Sequence, residues 1–156
     1  MKGLFYMMQH EEDKASDTGT LKDYIAHRLL AAKDSLDDAK LLLREQRYRS
    51  ANNRAYYAIF HAINTVHALN GKGFKSHKQS IAEFNRAYIH EGIFPKTFGH
   101  KIAKSQEKRH SSDYDYEFTP SEQETIAHIK FADEFLSCIR DFCMKRFKDD
   151  KNTPQT

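Results

Sequence analysis

The residue types best suited to chemistry lie together in "EKRHSSDYDYEF", which covers residues 107–118. Arg109 carries a planar guanidinium whose fixed donors suit phosphate oxygens. His110 beside it carries an imidazole, the side-chain group whose usual pKa best suits proton transfer near pH 7. We interpret the two as candidate groups for phosphate binding and proton transfer. The alternative is a solvated polar segment that only ends one helix and leads to the next.

A second polar cluster lies earlier, in "SANNRAYYAIFHAINTVHALN". Arg54, Tyr57 and His61 are spaced by three and four residues, so they share one face of a helix. This face can contribute to a binding site. It can equally consist of half-buried side chains whose polar tips are satisfied by hydrogen bonds. The spacing leaves both interpretations open.

The sequence lacks the motifs of several other kinds of site. The "GKG" at 71–73 lacks the rest of a phosphate-binding loop and follows a helix instead of a strand. No His-Glu-x-x-His sequence occurs, and no metal-ligand spacing joins His61, His67, His77 and His100. Cys138 and Cys143 are five residues apart, about 140° around a helix, and are predicted to be core thiols. The sequence therefore predicts no metal and no cofactor.

Length and composition indicate one domain with a mild positive charge. The 156 residues contain 25 Lys and Arg against 22 Asp and Glu, which gives a net charge of +3. This balance permits a nucleic-acid partner without requiring one. No apolar run approaches the ~20 residues of a membrane span, and "MKGLFYMM" lacks the features of a secretory signal. We therefore expect a cytoplasmic protein without a membrane segment.

Helical periodicity runs through most of the chain and supplies the elements that must position these residues. We predict an irregular N-terminal tail at 1–18, a helical domain at 19–147 and a disordered C-terminal tail at 148–156. The domain is predicted to be all-α, an antiparallel bundle of four to five helices. The helices are expected near 21–46, 50–69, 77–91, 96–109 and 120–147.

Capping residues mark the starts of three of these helices. Thr18 or Thr20 is a plausible N-cap for the first helix, and Ser76 opens a capping box for the third. Thr119 is the predicted N-cap of the last helix, because Pro120 and Glu122 follow it at the expected positions.

The last helix is apolar on two sides. One face carries Ile126, Ile129, Leu136, Ile139 and Cys143, and a second carries Phe131, Phe135 and Phe142. A helix of this kind is either central in a bundle or part of a subunit interface. We interpret the second face as support for a homodimer.

Three segments resemble the small prokaryotic HEPN domain proteins. They are "RLLAAKDSLDDAKLLLREQRYRSANNRAYYAIFHAINTVHAL", "KSHKQSIAEFNRAYIHEGIFPK" and "KRHSSDYDYEF", and the resemblance covers roughly residues 21 to 143. It implies a bundle of four or five helices that forms a homodimer. It also implies a metal-independent ribonuclease, often a toxin whose antitoxin is a minimal nucleotidyltransferase.

The resemblance also assigns site residues. Arg109 matches the family's arginine and His110 the polar residue after it, with three variable positions at 111–113. Tyr114 stands where the family has histidine, and a phenol, with a usual pKa near 10, is a poor general base at neutral pH. Arg109, His110 and Tyr114 are therefore the candidate catalytic residues, and Asp113 and Tyr116 join the cluster on the second helix as candidate binding residues.

Three functions follow, and whether the chain is an enzyme stays open among them. The first is an RNA-cleaving toxin that acts through Arg109 and His110 in a dimeric site. The second is a module that binds RNA or a nucleotide without cleavage, or serves as the partner subunit of a nucleotidyltransferase. The third is a helical interaction protein without a site.

Overall fold

Five helices account for most of residues 18–152, the part of the chain that the computed structural model describes (the side chain of Thr18 excepted). They are α1 (Thr18–Arg44), α2 (Tyr48–Leu69), α3 (His77–Phe84), α4 (Lys96–Tyr114) and α5 (Glu122–Asn152). A single π-helical turn, Asn85–Ile89, continues α3. Residues 18–152 contain no strand, so the all-α prediction is confirmed. The predicted N-terminal tail falls almost entirely outside this range.

The first two helices pack through the small and aliphatic side chains that the sequence places on their inner faces. Ile25, Ala32, Leu36 and Ala39 of α1 are each at most 2% exposed. The facing stripe of α2 is equally buried and consists of Ala51, Ala55, Ala58, Ile59, Ala62 and Val66. Alanine at so many inner positions lets the two backbones approach closely, which is how α2 comes to lie in the middle of the bundle.

Short connections direct the chain between the helices. Only residues 45–47 separate α1 from α2, and Gln46 adopts a positive φ of 57° there. α2 ends at Leu69, where the sequence predicted its end, with Asn70 as the C-cap; Gly71 follows at φ +68°, and its amide donates to the Ala68 carbonyl at 3.0 Å. Ser76 caps α3, because its Oγ accepts from the Gln79 amide at 3.1 Å. The prediction of that cap is confirmed.

The predicted cap of the last helix was wrong by two residues. Ser121, not Thr119, caps α5: its Oγ accepts from the Glu124 amide at 3.1 Å, and Glu124 Oε2 accepts from the Ser121 amide at 2.9 Å. This reciprocal pair of hydrogen bonds is a complete capping box. It satisfies the backbone amides of both Ser121 and Glu124, which is more than Thr119 could satisfy before Pro120. Thr20 lies inside α1, which begins at Thr18 in the described chain, so Thr20 is not its N-cap.

Two helices also run further than predicted. α4 continues past residue 109 to Tyr114, since nothing from Lys101 to Thr119 is a glycine or proline that would stop it. α5 continues from the predicted end at 147 to Asn152, so residues 148–152 of the expected tail are helical. The consequence for the site is large, because Arg109, His110, Asp113 and Tyr114 all lie on one regular helix.

The second apolar face of α5 is buried within the single chain. Phe131 and Phe135 pack edge-on against Phe98 of α4, with ring centroids 5.6 Å apart in both pairs, and Phe135 also meets Phe84 of α3 at 5.7 Å. The predicted face member Ile126 is instead 46% exposed. The double apolar face therefore needs no second chain, and the homodimer stays a prediction. None of the described helices has the length and apolar character to cross a membrane.

Candidate functional site

Arg109 on α4 meets side chains from two other helices. Its Nη1 lies 2.6 Å from Nδ1 of His77, the first residue of α3, and 3.3 Å from the hydroxyl of Tyr56 on α2. The Tyr56 hydroxyl is itself 2.7 Å from His77 Nδ1. Three helices thus bring one guanidinium, one imidazole and one phenol into mutual hydrogen-bond contact. We call these three residues the Arg109 cluster.

The Arg109 contact fixes the protonation of His77. A guanidinium can only donate, so His77 Nδ1 must accept and the neutral ring carries its proton on Nε2. Burial lowers the pKa of His77, and the positive charge of Arg109 lowers it further. Burial raises the pKa of Tyr56, against the opposing effect of Arg109, so its phenol stays protonated. The cluster therefore holds a neutral imidazole, which can accept a proton at pH 7, beside a permanent cation.

Aromatic rings hold His77 in place. Its ring stacks on Phe60 with centroids 3.8 Å apart and planes 16° apart, and Tyr57 meets it edge-on at 6.3 Å. Arg109 Cζ in turn lies 5.0 Å from the Tyr56 ring centroid and 5.5 Å from that of Tyr57. This packing restricts both the imidazole and the guanidinium, which limits the entropy lost when a ligand is bound.

The structure brings some of the sequence-predicted binding residues to this cluster. Asp113 lies one turn beyond Arg109 on α4, with its Oδ2 3.6 Å from Arg109 Nε. Arg54 Cζ lies 5.1 Å from the Tyr57 ring centroid, and the His61 ring is 6.3 Å from the same ring. Burial lowers the pKa of His61, as do the charges of neighbouring arginines, which keeps its imidazole neutral. The polar face of α2 is therefore part of the same surface as Arg109.

Other predicted site residues lie outside the cluster. His110 and Tyr114 pair with each other, with ring centroids 4.7 Å apart, and Tyr114 is 76% exposed. Within residues 18–152, neither forms a hydrogen bond or ring contact with Arg109 or His77. Adjacent helical residues point about 100° apart, which is why Arg109 and His110 do not share a site within one chain. Tyr116 is 90% exposed in the connection after α4.

Arg49, in the first turn of α2, holds the connection that carries Tyr116. Its Nη1 donates to the Ser112 carbonyl at 3.4 Å, and its Nη2 donates to the carbonyls of Asp115, Tyr116 and Phe118 at 3.0, 3.1 and 2.5 Å. One side chain thus satisfies the Ser112 carbonyl in the last turn of α4 and three carbonyls of the connection that follows. Residues 115–118 therefore form a connection whose backbone is fixed, although the side chain of Tyr116 is exposed.

We expect Arg49→Ala to loosen residues 115–118 without unfolding the bundle. Charged donors to carbonyls are worth about 1.5–3 kcal/mol when buried, so partial exposure suggests a loss of about 1–2 kcal/mol in the free energy of unfolding. Hydrogen exchange at the amides of Glu117 and Phe118 should accelerate more than exchange in α2. The matched control is Arg47→Ala, an exposed arginine two residues earlier whose removal should change neither.

A buried polar chain sets the spacing of α2 and α4 one helical turn away from the Arg109 cluster. His128 of α5 bonds through Nδ1 to Asn52 Oδ1 at 2.7 Å and through Nε2 to Ser105 Oγ at 2.6 Å. Asn52 precedes Tyr56 by four residues on α2, and Ser105 precedes Arg109 by four on α4. Asn52 Nδ2 also donates to the Thr125 hydroxyl at 2.8 Å. These bonds fix the distance between the two helices that carry the cluster.

Sequence reasoning missed several of these residues. The sequence marks His77 only as one of the histidines that lack metal-ligand spacing, and it does not single out Tyr56. The signal that could have identified His77 is its position in "SHK" at the predicted start of a helix. There an imidazole is accessible, and the free backbone amides favour a bound anion. Nothing local connects His77 to Arg109, which lies 32 residues later. Among residues 18–152, no three His, Cys, Asp or Glu side chains form a group that could hold a metal.

Similarity to known proteins shows the family of the chain. Residues 25–142 match the family model of the HEPN domain. A "UPF0332 protein" of Thermotoga maritima is 37% identical over 109 residues, which cover 69% of this chain and 82% of the relative. A protein of Methanocaldococcus jannaschii named "Putative toxin MJ0605" is 31% identical over 120 residues, or 77% of this chain and 89% of the relative. With a five-helix fold and a match spanning most of its length, the chain belongs to the HEPN domain family.

Proposed function

We propose that this protein is a metal-independent endoribonuclease of the toxin type, whose reacting phosphate is bound at the Arg109 cluster. The observation that carries the proposal is the contact of Arg109 Nη1 with Nδ1 of a neutral His77 at 2.6 Å. A guanidinium suited to a phosphate and an imidazole able to take a proton are the two groups that RNA transesterification requires. The name of the Methanocaldococcus relative, "Putative toxin MJ0605", supports the toxin part of this proposal.

The reaction would use the two groups in turn. An RNA phosphate competes for the guanidinium, so Arg109 turns from His77 to the phosphate. The Tyr56 hydroxyl, 2.7 Å from His77 Nδ1, must also give way to the substrate hydroxyl before Nδ1 can accept a proton. His77 then takes the proton of the adjacent ribose 2′-hydroxyl, whose oxygen attacks phosphorus while the bond to the 5′-oxygen breaks. That oxygen takes a proton from water. The products are a 2′,3′-cyclic phosphate and a 5′-hydroxyl end, and Arg109 stabilises the negative charge on the phosphoryl oxygens in the transition state.

The alternative function is RNA or nucleotide binding without cleavage, or a role as partner subunit of a minimal nucleotidyltransferase. One observation favours it: Tyr114 occupies the position at which the family resemblance expects histidine. The proposed nuclease therefore depends on His77 to supply a base from another helix. His110 and Tyr114 keep a catalytic role only in a dimer that brings them to the cluster of a second copy.

Cleavage by wild-type and variant protein tests the choice. With single-stranded RNA in the presence of EDTA, we expect His77→Ala to lower kcat/KM roughly 10²-fold or more, the range of general acid-base assistance. His110→Ala, which removes an exposed histidine from the same helix as Arg109, is the matched control and should cost much less. Tyr114→His restores the family pattern and should change cleavage little if His77 is the base.

The pH dependence gives an independent test of the base. A base must be unprotonated, so kcat/KM should fall with acid, and the lowered pKa of His77 places that fall below pH 6.5. Activity should already be level at pH 7. If the acidic limb instead disappears in His110→Ala and persists in His77→Gln, the assignment of the base to His77 is wrong. Absence of cleavage in wild type together with measurable RNA affinity would select the binding function.

A further inference from the structure

One tyrosine ring links the Arg109 cluster to a second cation. The ring of Tyr57 lies 5.5 Å from Arg109 Cζ and 5.1 Å from Arg54 Cζ. The two guanidinium groups therefore flank the same ring and cannot be further apart than these two distances combined. Such a separation is within the range that two neighbouring phosphates of one strand can span.

A third cation, Arg28 of α1, acts on the same part of the surface. Together with burial, the charges of Arg28 and Arg54 both lower the pKa of His61, whose ring lies 6.3 Å from that of Tyr57. Arg28 Nε and His61 Nδ1 are buried and have no hydrogen-bond partner in the described chain. The surface next to the cluster thus contains polar atoms that the protein itself leaves unsatisfied.

Neither arginine is neutralised within residues 18–152. Arg86 and Arg140, by contrast, pair with Glu83 at 2.6 Å and with Asp141 at 3.6 Å. No carboxylate of the described chain lies within ion-pair distance of Arg28 or Arg54, although both are only partly exposed. Partly buried charges without partners are costly, and a bound anion would remove that cost.

We propose that Arg54 forms a second phosphate subsite, which binds the phosphate next to the one held by Arg109, and that Arg28 adds a further cation to the same strand-binding surface. The inference rests on the proposed function and identifies the substrate as a single strand of RNA that contacts the protein through at least two phosphates. Tyr57 lies between the two subsites and sets their separation. A single-phosphate ligand occupies only the Arg109 side.

Salt-dependent binding of a non-cleavable RNA tests the subsite. A fluorescent eight-nucleotide 2′-O-methyl RNA cannot undergo 2′-hydroxyl attack, so binding is measured without cleavage. Each phosphate contact contributes about 0.7 to the slope of log K against log salt for a single strand. Arg54→Ala and Arg28→Ala should each make the slope shallower by about 0.7 and weaken binding about five- to tenfold at low salt. Uridine 3′-monophosphate should bind both variants like wild type.

Arg140→Ala is the matched control, because it removes the same charge from an exposed, ion-paired arginine. Arg109→Ala in the same titrations separates this inference from the proposed function. If Arg109→Ala weakens RNA binding while Arg54→Ala and Arg28→Ala behave like Arg140→Ala, the subsite is wrong and the proposed function stands. If Arg109→Ala also has no effect on RNA or nucleotide binding, the proposed function fails as well.

Light scattering of the same variants tests whether this surface instead joins two copies of the chain. If Arg54→Ala changes the molecular mass in solution and leaves the salt slope unchanged, the surface joins two copies of the chain and the subsite is refuted. Circular dichroism melts should show that both variants remain folded. Arg54→Lys, which retains the charge, should recover most of the salt slope and thereby confirm an electrostatic contact.

Discussion

Replacement of Arg109 by alanine should remove nearly all RNA cleavage, by about 10³-fold or more in kcat/KM. Removal of one donor to developing charge costs about 10²–10³-fold, and an arginine that stabilises a reacting phosphoryl group is worth about 10³–10⁵-fold. Arg109 combines this role with the positioning of His77 through the contact at 2.6 Å. Both contributions are lost together in the alanine variant, which makes this the largest expected effect on activity.

Two further measurements show whether the loss of activity comes from the missing phosphate donor and the missing contact with His77. Arg109→Lys retains the charge without the planar fork, so it should recover only part of the activity. NMR titration of His77 in Arg109→Ala should show its pKa rising, because the positive charge that lowers it is gone. An unchanged His77 titration would mean that the two side chains are not in contact in solution. Arg140→Ala serves as the control for a simple loss of charge.

Acid should destabilise the protein through His128, with an expected effect of several kcal/mol. Burial, and to a smaller extent the charge of Lys108, lowers the pKa of His128 to about 3. The unfolded chain, with an ordinary histidine pKa near 6.5, binds more protons between these values, so stability is complete above pH 6.5 and falls as the pH drops toward 3. At about pH 4.5 this group alone should cost about 2–3 kcal/mol in the free energy of unfolding.

His128→Leu tests this contribution directly. At pH 7.5 the variant should lose about 3–4 kcal/mol of stability, because Asn52 Oδ1 and Ser105 Oγ lose buried partners. Its stability should then fall less steeply with acid than that of wild type. Urea unfolding at pH 7.5 and 4.5 measures both effects. The exposed His100 provides the control: His100→Leu should match wild type at each pH, and equal pH slopes for all three proteins would contradict the assignment.

Loss of the hydrogen bonds of His128 to Asn52 and Ser105 should also disturb the candidate site. Asn52 and Ser105 each lie one turn from a member of the Arg109 cluster, so a change in the spacing of α2 and α4 moves Arg109 relative to Tyr56. The contact at 3.3 Å between these two residues leaves little tolerance for such a shift. His128 is therefore a positioning residue for the proposed chemistry as well as a structural one.

The sequence by itself determined the helices and the family. Periodic apolar residues such as Ile25, Ala32 and Leu36 identify a buried helical face, since the backbone bonds of a helix are local and its period is fixed. The Ser76 cap and the Asn70–Gly71 stop could be located for the same reason. The end of α4 could not, because no glycine or proline marks it. One carbonyl of its last turn, that of Ser112, is instead satisfied by Arg49, 63 residues earlier in the chain.

Only the tertiary structure decided which side chains meet. Arg109 could be singled out from its residue type and its family-like context, but its partners come from α2 and α3, 53 and 32 residues away. The same holds for His128, whose bond to Asn52 spans 76 residues. A pattern of residues specifies the rotation of one helix about its axis, whereas a contact between helices depends on how each is rotated and displaced against its neighbours. For that reason His110, adjacent to Arg109 in sequence, lies outside the cluster, and the distant His77 lies within it.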